Sequence, residues 1–274
     1  MTKTINLGVL GIDHGHIFDM LDEMLKEGCS CNYFWTQGSP LTLDEFSKKY
    51  PQIKRVDNKS DILNDDTIDM ILISSIPKDR ANLSIDAMKA GKDVMVDKPG
   101  CTTLEQLNNL KQTVKETGKI WSINFSERFH VAAVTKAEEL VAEGKIGKVK
   151  QTIGTGPHRQ GNYERPDWFY DRDSYGGIIT DIGSHQIHQF LVFTNSNEAK
   201  VNHALVENTT RKEFAGFQDF GEVNLTGNGG HGYVRLDWFT PDALSTWGDG
   251  RLFIFCLLYT SPSPRDQRGS GIPG

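Results

Sequence analysis

Five short, mostly apolar runs punctuate the first 124 residues: Ile5–Gly11, Cys31–Trp35, Met70–Ser75, Asp93–Val96 and Lys119–Asn124. Helical patterns separate them. Ile17, Met20, Leu21, Met24 and Leu25 recur at i, i+3, i+4, i+7 and i+8, the spacing of an amphipathic helix that Gly28 closes. Leu43–Tyr50, Ser60–Asn64 and Asp79–Ala90 read as further helices, the last closed by Gly91. Thr102 and Thr103, followed by Glu105 and Gln106, form a capping-box start to a helix reaching about Thr117. Strands without polar alternation, each followed by a helix, predict a parallel sheet covered on both faces.

The texture changes after about residue 124. A helix over Ala132–Glu143 precedes longer, more alternating strands at Lys148–Gly154, Lys200–Glu207, Glu222–Thr226, Tyr233–Phe239 and Arg251–Phe255, and one helix around Gly177–Phe193 interrupts them. The expectation is an α/β domain over residues 1–124, then an α+β domain over 125–255 with a mostly antiparallel, open sheet. The 274 residues allow two domains of ordinary size. A net charge of −6 with no basic tract argues against nucleic acid as a partner. No apolar run nears the ~18 residues of a membrane span, and the N-terminus does not read as a signal peptide. Cys29, Cys31, Cys101 and Cys256 fit neither a disulfide framework nor a metal set, which points to a reducing cytoplasm.

Residues 256–274 stand apart. Cys256–Asp266 back-translate, in frame from Phe255, to a string that resembles the transposon-end adapter of shotgun sequencing libraries. The expectation is that this tail is translated adapter and that the gene runs on past Phe255. A sheet cut there would leave Arg251–Phe255 as an unpaired edge, so the 274-residue chain is expected to be poorly soluble or inactive.

A strand that ends in glycine and opens into a helix is a place where dinucleotides bind, because backbone N–H groups meet the pyrophosphate there. Here the turn reads Gly11-Ile12-Asp13-His14-Gly15-His16. Gly11 fills the first glycine slot of a G-x-G-x-x-G pattern. Asp13 and His16 fill the other two, and Gly15 comes one residue early. Asp13 would repel a pyrophosphate unless its carboxylate caps the helix. His14 and His16 are candidates for cofactor contact or for polar groups of the helix start. At the end of the second strand, Thr36 or Gln37 stands where an acidic residue usually meets the adenosine ribose. The residues do not choose between NAD and NADP; the absence of Arg or Lys beside them favours NAD.

Three ordered blocks carry a resemblance. The first is Ile76-Pro77-Lys78-Asp79-Arg80 followed by Ala90-Gly91-Lys92-Asp93-Val94-Met95-Val96-Asp97-Lys98-Pro99. The second is Ser126-Glu127-Arg128-Phe129 with Glu143-Gly144-Lys145-Ile146-Gly147. The third is Gly176-Gly177-Ile178-Ile179-Thr180-Asp181-Ile182-Gly183-Ser184-His185. Together they make the chain, from about Ile5 to Phe255, similar to the Gfo/Idh/MocA oxidoreductases, whose Glu-Lys-Pro hallmark is here Asp97-Lys98-Pro99. The resemblance implies a Rossmann domain binding NAD or NADP through the 11–16 turn, Thr36, Ser75, Ile76, Pro77, Arg80, Asp97 and Lys98. It implies a second domain carrying a sugar or polyol site and often an oligomer interface. It places the family's catalytic lysine on Lys98, and its aspartate and histidine on Asp181 and His185.

That assignment suits the chemistry. Oxidising an alcohol removes a hydride from carbon and a proton from oxygen, so a base and an oxygen-stabilising cation are needed. In this reading His185 is the acid/base, since imidazole as a class can exchange a proton near neutrality, Lys98 polarises the oxygen and relays protons, and Asp181, four residues earlier on the same expected helix, positions. Asp181, His185 and His188 also have the spacing of a metal set, but no further ligand is evident and no metal is expected. His188 then packs or meets substrate. The polar, aromatic run 156–170 offers His158, Arg159 and Trp168 as substrate contacts. A glycosidase using bound NAD for transient oxidation, or a ligand sensor without turnover, are the alternatives.

Overall fold

A computed structural model describes residues 4–161 and 165–258. The expected tail therefore lies outside the described residues beyond Leu258, as do Asn162, Tyr163 and Glu164 of the aromatic run.

The chain divides into two compact units. The first comprises the described residues of Met1–Phe125 with Asn162–Asp181 and Asn208–Gln218. In order it contains β1 (Asn6–Leu10), α1 (His16–Lys26), β2 (Ser30–Trp35), α2 (Leu43–Lys49), β3 (Lys54–Arg55), α3 (Lys59–Leu63), β4 (Met70–Ile73), α4 (Pro77–Lys89), β5 (Asp93–Asp97), α5 (Leu104–Thr117) and β6 (Trp121–Asn124). The six strands form a parallel sheet in the order β3-β2-β1-β4-β5-β6. The order reverses at β1, the switch point of a doubly wound fold. Successive residues point to opposite faces. Leu7, Val9 and Leu72 join Ile17, Leu21, Phe34 and Phe46 on one side. Leu10, Ile71, Ile73, Val94 and Val96 join Ile62, Ala87, Met88 and Leu110 on the other. This is why the strands read as continuous apolar runs.

Local chemistry sets the helix ends. Thr103 caps α5 by accepting the Gln106 N–H at 3.1 Å, and the Gln106 side chain returns to accept the Thr102 N–H at 2.8 Å, close to the expected capping box. The helix stops at Gly118, whose φ of 66° is left-handed.

The second unit comprises the described residues of Ser126–Gly161, Ile182–Glu207 and Asp219–Gly274. After α6 (Ser126–Phe129) and α7 (Ala132–Ala142) comes β7 (Val149–Pro157). The chain then contributes α8 (Arg172–Tyr175) and α9 (Ile178–Asp181) to the first unit, and returns with α10 (Gly183–Phe193), β8 (Ala199–Glu207), β9 (Phe220–Gly227), β10 (His231–Asp237) and β11 (Arg251–Cys256). The sheet order is β11-β7-β10-β9-β8. Only β10 and β7 run parallel, and the other pairings are antiparallel, as expected. α10 lies close on the sheet because glycines face it. A Cβ at Gly154 would sit 2.9 Å from Gln186 Cγ, and one at Gly232 would sit 2.7 Å from Phe190 Cδ2. Among the described residues no helix is long and apolar enough to cross a membrane.

The expected helix over Gly177–Phe193 is two helices. α9 ends at Asp181, Ile182 keeps helical dihedrals, and the His185 N–H bonds Ile182 O in a tight three-residue turn. Asp181 and His185 therefore do not share one continuous helix. The first stretch of the first unit runs to Phe125, and the described residues of Asn162–Asp181 and of Asn208–Gln218 belong to that unit as well.

Candidate active site

The turn after β1 is latched to both neighbouring strands. The Gly11 N–H donates to Trp35 O at 2.7 Å, and Gly11 O accepts the Ser74 N–H at 3.2 Å. Gly11 has φ +79°, and a Cβ there would fall 2.4 Å from Ser75 Cβ, so only glycine brings the turn this close to β4. Beside it opens a cavity of about 540 Å³, lined among others by Gly11, Asp13, Trp35, Gln37, Ser75 and Ile76. It lies past the carboxyl ends of β1, β2 and β4, with a volume typical of small-molecule sites. These residues fit a dinucleotide, with Asp13 as the discordant group. Burial pushes the Asp13 carboxyl up to about 6, so it carries less charge near neutrality than an ordinary aspartate. It does not cap α1, whose N-cap is Gly15 with no side-chain hydrogen bond.

At the end of β5 the chain builds a charged knot within the first unit. Asp97 is fully buried. Its carboxylate meets Arg80 Nη2 at 2.9 Å, His16 Nδ1 at 2.8 Å and His14 Nδ1 at 3.2 Å. Burial acts to raise its pKa, but the guanidinium of Arg80 and the two imidazoles outweigh burial and hold it well below the usual carboxylate range. Burial and the neighbouring His16 push His14 down to about 4, so His14 is neutral at neutral pH. Ligand atoms of His14, His16 and Asp97 lie within 4.8 Å of one another. Arg80 already neutralises that carboxylate, so the arrangement is an internal ion pair flanked by imidazoles and ill suited to a dication.

The next residue, Lys98, reaches Asp181 at the end of α9: Nζ lies 2.7 Å from Oδ1, with the side chains 5% and 17% exposed. Both belong to the first unit. The segment that delivers Asp181 is pinned there by Lys78 Nζ donating to Ser174 Oγ at 3.0 Å and by Gln218 Oε1 accepting the Ile178 N–H at 3.0 Å.

A model of the oxidoreductase family with the NAD-binding Rossmann fold of the GFO/IDH/MocA group matches residues 39–125, and one of the GFO/IDH/MocA C-terminal domain matches residues 134–256. A crystal structure described as an oxidoreductase, from Erwinia carotovora atroseptica SCRI1043, is 41% identical at a TM-score of 0.89, over 92% of this chain and 76% of that one. The chain belongs to the Gfo/Idh/MocA family. It is 25% identical over 194 residues to the NADP-dependent scyllo-inositol 2-dehydrogenase of Bacillus subtilis (strain 168), covering 69% of this chain and 51% of that protein. It is 27% identical over 146 residues to the D-xylose dehydrogenase of Paenarthrobacter nicotinovorans, covering 52% and 37%. The chain thus spans about half, or less, of the length of these curated relatives.

Within this Gfo/Idh/MocA chain, some expected site residues do other work. Arg80 is wholly buried and donates to the Ser75, Asp97, Lys98 and Pro99 carbonyls besides pairing with Asp97. Its donors are consumed inside the fold, so it braces the Asp97–Pro99 corner and does not itself reach a cofactor. Asp97 is likewise spent inside the fold, on Arg80, His14 and His16. Thr36 is 2% exposed with its hydroxyl turned inward, whereas Gln37 lines the cavity. Pro77 is the first residue of α4 and is buried.

The proposed substrate contacts scatter. Trp168 lies in the first unit, its ring 6.3 Å from that of His14, on a smaller cavity shared with Asp13. In the second unit, Arg159 Nη2 clamps the carbonyls of Leu244 and Thr246. His158 sits edge-on to Trp238 and Trp247. His188 faces Arg128, which pairs with Glu138. Arg128 and burial both lower its pKa, burial being the larger cause. His185 is buried on α10. The knot itself has little sequence signature beyond two histidines, two residues apart in the turn, and a strand-end aspartate 81 residues past His16.

Proposed function

We propose that this chain is an NAD- or NADP-dependent oxidoreductase acting on a hydroxyl-bearing carbon of a sugar- or cyclitol-like substrate. The observation that carries the reading is Lys98, held by Asp181 at 2.7 Å at the carboxyl end of β5. Ligands of open α/β sheets bind beyond that edge. Gly11, Gly15, Asp13, Gln37, Ser75 and Ile76 would hold the cofactor, which when bound accepts or donates the hydride. Lys98 donates a hydrogen bond to the substrate oxygen and stabilises the alkoxide as the C–H bond breaks. Asp181 fixes the ammonium's direction. His185 takes the hydroxyl proton, a role resting on its sequence block and on the titration range of imidazole. The family match and the sugar and cyclitol dehydrogenases among the relatives support this reading.

Four unpaired cysteines suit the cytoplasm. Exposed apolar residues on β8 and β11, Val201, Leu205, Phe253 and Phe255, suit a homo-oligomer.

The test is reduced-nicotinamide absorbance over a panel of polyols and aldoses, with wild type and Lys98→Ala side by side. Net reduction that falls about 10²–10⁴-fold in the variant supports the proposal. Glycoside cleavage with no net reduction overturns it.

A further inference from the structure

Gly176 and Gly177 both have φ +88°, and they turn the chain sharply between α8 and α9. That turn makes room for a side chain from far along the sequence. A Cβ on Gly177 would lie 2.7 Å from Gln218 Oε1 and 2.6 Å from Arg172 Nε. Gln218 Oε1 accepts the Ile178 N–H at 3.0 Å, and the Gln218 N–H donates to the hydroxyl of buried Tyr175 at 3.0 Å. One residue thus grips the chain on both sides of the double glycine. The Ile178 N–H opens a single helical turn. The Asp181 N–H closes that turn on Gly177 O at 2.9 Å, and the Asp181 carboxylate holds Lys98. With four residues, α9 is too short to hold itself, so what caps it sets its place.

The 208–218 segment is built to deliver that amide. Asn208 Nδ2 donates to the Arg211 and Phe214 carbonyls at 2.8 Å each, Phe214 stacks on Tyr170 at 3.9 Å, and buried Phe217 meets Phe169 and Tyr170. A Cβ on Gly216 would fall 2.9 Å from Arg172 N, so the segment comes down onto backbone. The other tether, Lys78 on Ser174, also lines the dinucleotide cavity, whereas Gln218 does not.

We infer that Gln218 is a positioning residue of the reaction: through Ile178 and α9 it sets the direction in which Asp181 holds the Lys98 ammonium. The inference rests on the proposed nicotinamide-dependent function.

Gln218→Met keeps the side chain's length and removes its amide oxygen; Gln218→Glu keeps an acceptor. With the member of a polyol and aldose panel that wild type oxidises fastest, Gln218→Met lowers kcat about 10–100-fold, the cost of a small misplacement. KM for that compound, and dinucleotide affinity by tryptophan fluorescence, stay within about twofold. Gln218→Glu returns kcat to within about threefold of wild type. Hydrogen exchange across 176–182, read by mass spectrometry without cofactor or substrate, is several-fold faster in Gln218→Met and near wild type in Gln218→Glu. In an Asp181→Ala background, Gln218→Met costs no more than about twofold, because the group it positions is gone. Gln218→Asn, one methylene short of Ile178, replaces Gln218→Met if the latter fails to fold. An unchanged kcat in Gln218→Met, equal losses in the Met and Glu variants, or a loss that adds fully to that of Asp181→Ala overturns the inference and leaves the proposed function standing. A wild type that reduces the nicotinamide with no member of the panel removes the functional reading together with the inference.

Discussion

Gly11 sits where a methyl group would overlap Ser75, in a backbone conformation that side-chain-bearing residues rarely adopt. Gly11→Ala is therefore expected to cost about 1–3 kcal/mol from backbone strain, before any overlap, and to weaken dinucleotide binding. Urea denaturation reads the first and fluorescence titration the second; an unchanged midpoint contradicts the argument. Asp13 makes a pH-dependent prediction. Its folded pKa, about 6, lies above its unfolded value of 3.8. Its contribution to stability is full below the unfolded value and is lost as pH rises through about 6. Asp13→Asn should thus gain stability over wild type as pH rises from about 4 to 7. It should also bind dinucleotide more tightly above pH 6, where the wild-type carboxylate repels phosphate. Parallel pH profiles for the two proteins count against this. Residues of this kind were partly legible in the sequence. The glycine slot and the discordant aspartate are visible as letters. The direction of the Thr36 hydroxyl and the burial of Arg80 are not, because both depend on which side of β2 and α4 meets the sheet.

Elements place the chemistry. β5 ends at Asp97, and the corner beyond it is held by Arg80 from α4 and by the two histidines of the β1 turn. Removing one partner of such a buried pair is strongly destabilising, so Arg80→Ala should cost about 3–5 kcal/mol. Loss of the Thr103 cap should cost only about 1 kcal/mol. Equilibrium unfolding of the two variants ranks them, and equal losses would mean that the knot is peripheral. The strand and helix sequence was readable because apolar periodicity reports burial on both sheet faces. Two features escaped it. The two-residue β3 is too short to show a period, yet it brings Arg55 to the carbonyls of Thr36 and Gly38. The break at Ile182 leaves no glycine or proline at that position and keeps helical dihedrals, so the 3.6-residue pattern runs through it.

At the scale of the whole molecule, a doubly wound unit carries Lys98 and Asp181, and a mixed-sheet unit carries His185. The alternating strands of the second part announced that sheet. The return of 165–181 and 208–218 to the first unit was not announced, since long-range docking of a segment has no local pattern. β11 is an edge of the described sheet, with Phe253 and Phe255 each nearly half exposed. Phe253→Lys and Phe255→Lys should raise the soluble fraction, as charged residues protect sheet edges; no gain in sedimentation assays would argue that the edge is already covered. The most direct test of the central claim is absorbance of the reduced nicotinamide with a panel of polyols and aldoses, in wild type and Lys98→Ala at matched cofactor saturation. The account predicts substrate-dependent net reduction that Lys98→Ala lowers by two orders of magnitude or more while dinucleotide affinity holds. Turnover that survives the loss of Lys98 would contradict it.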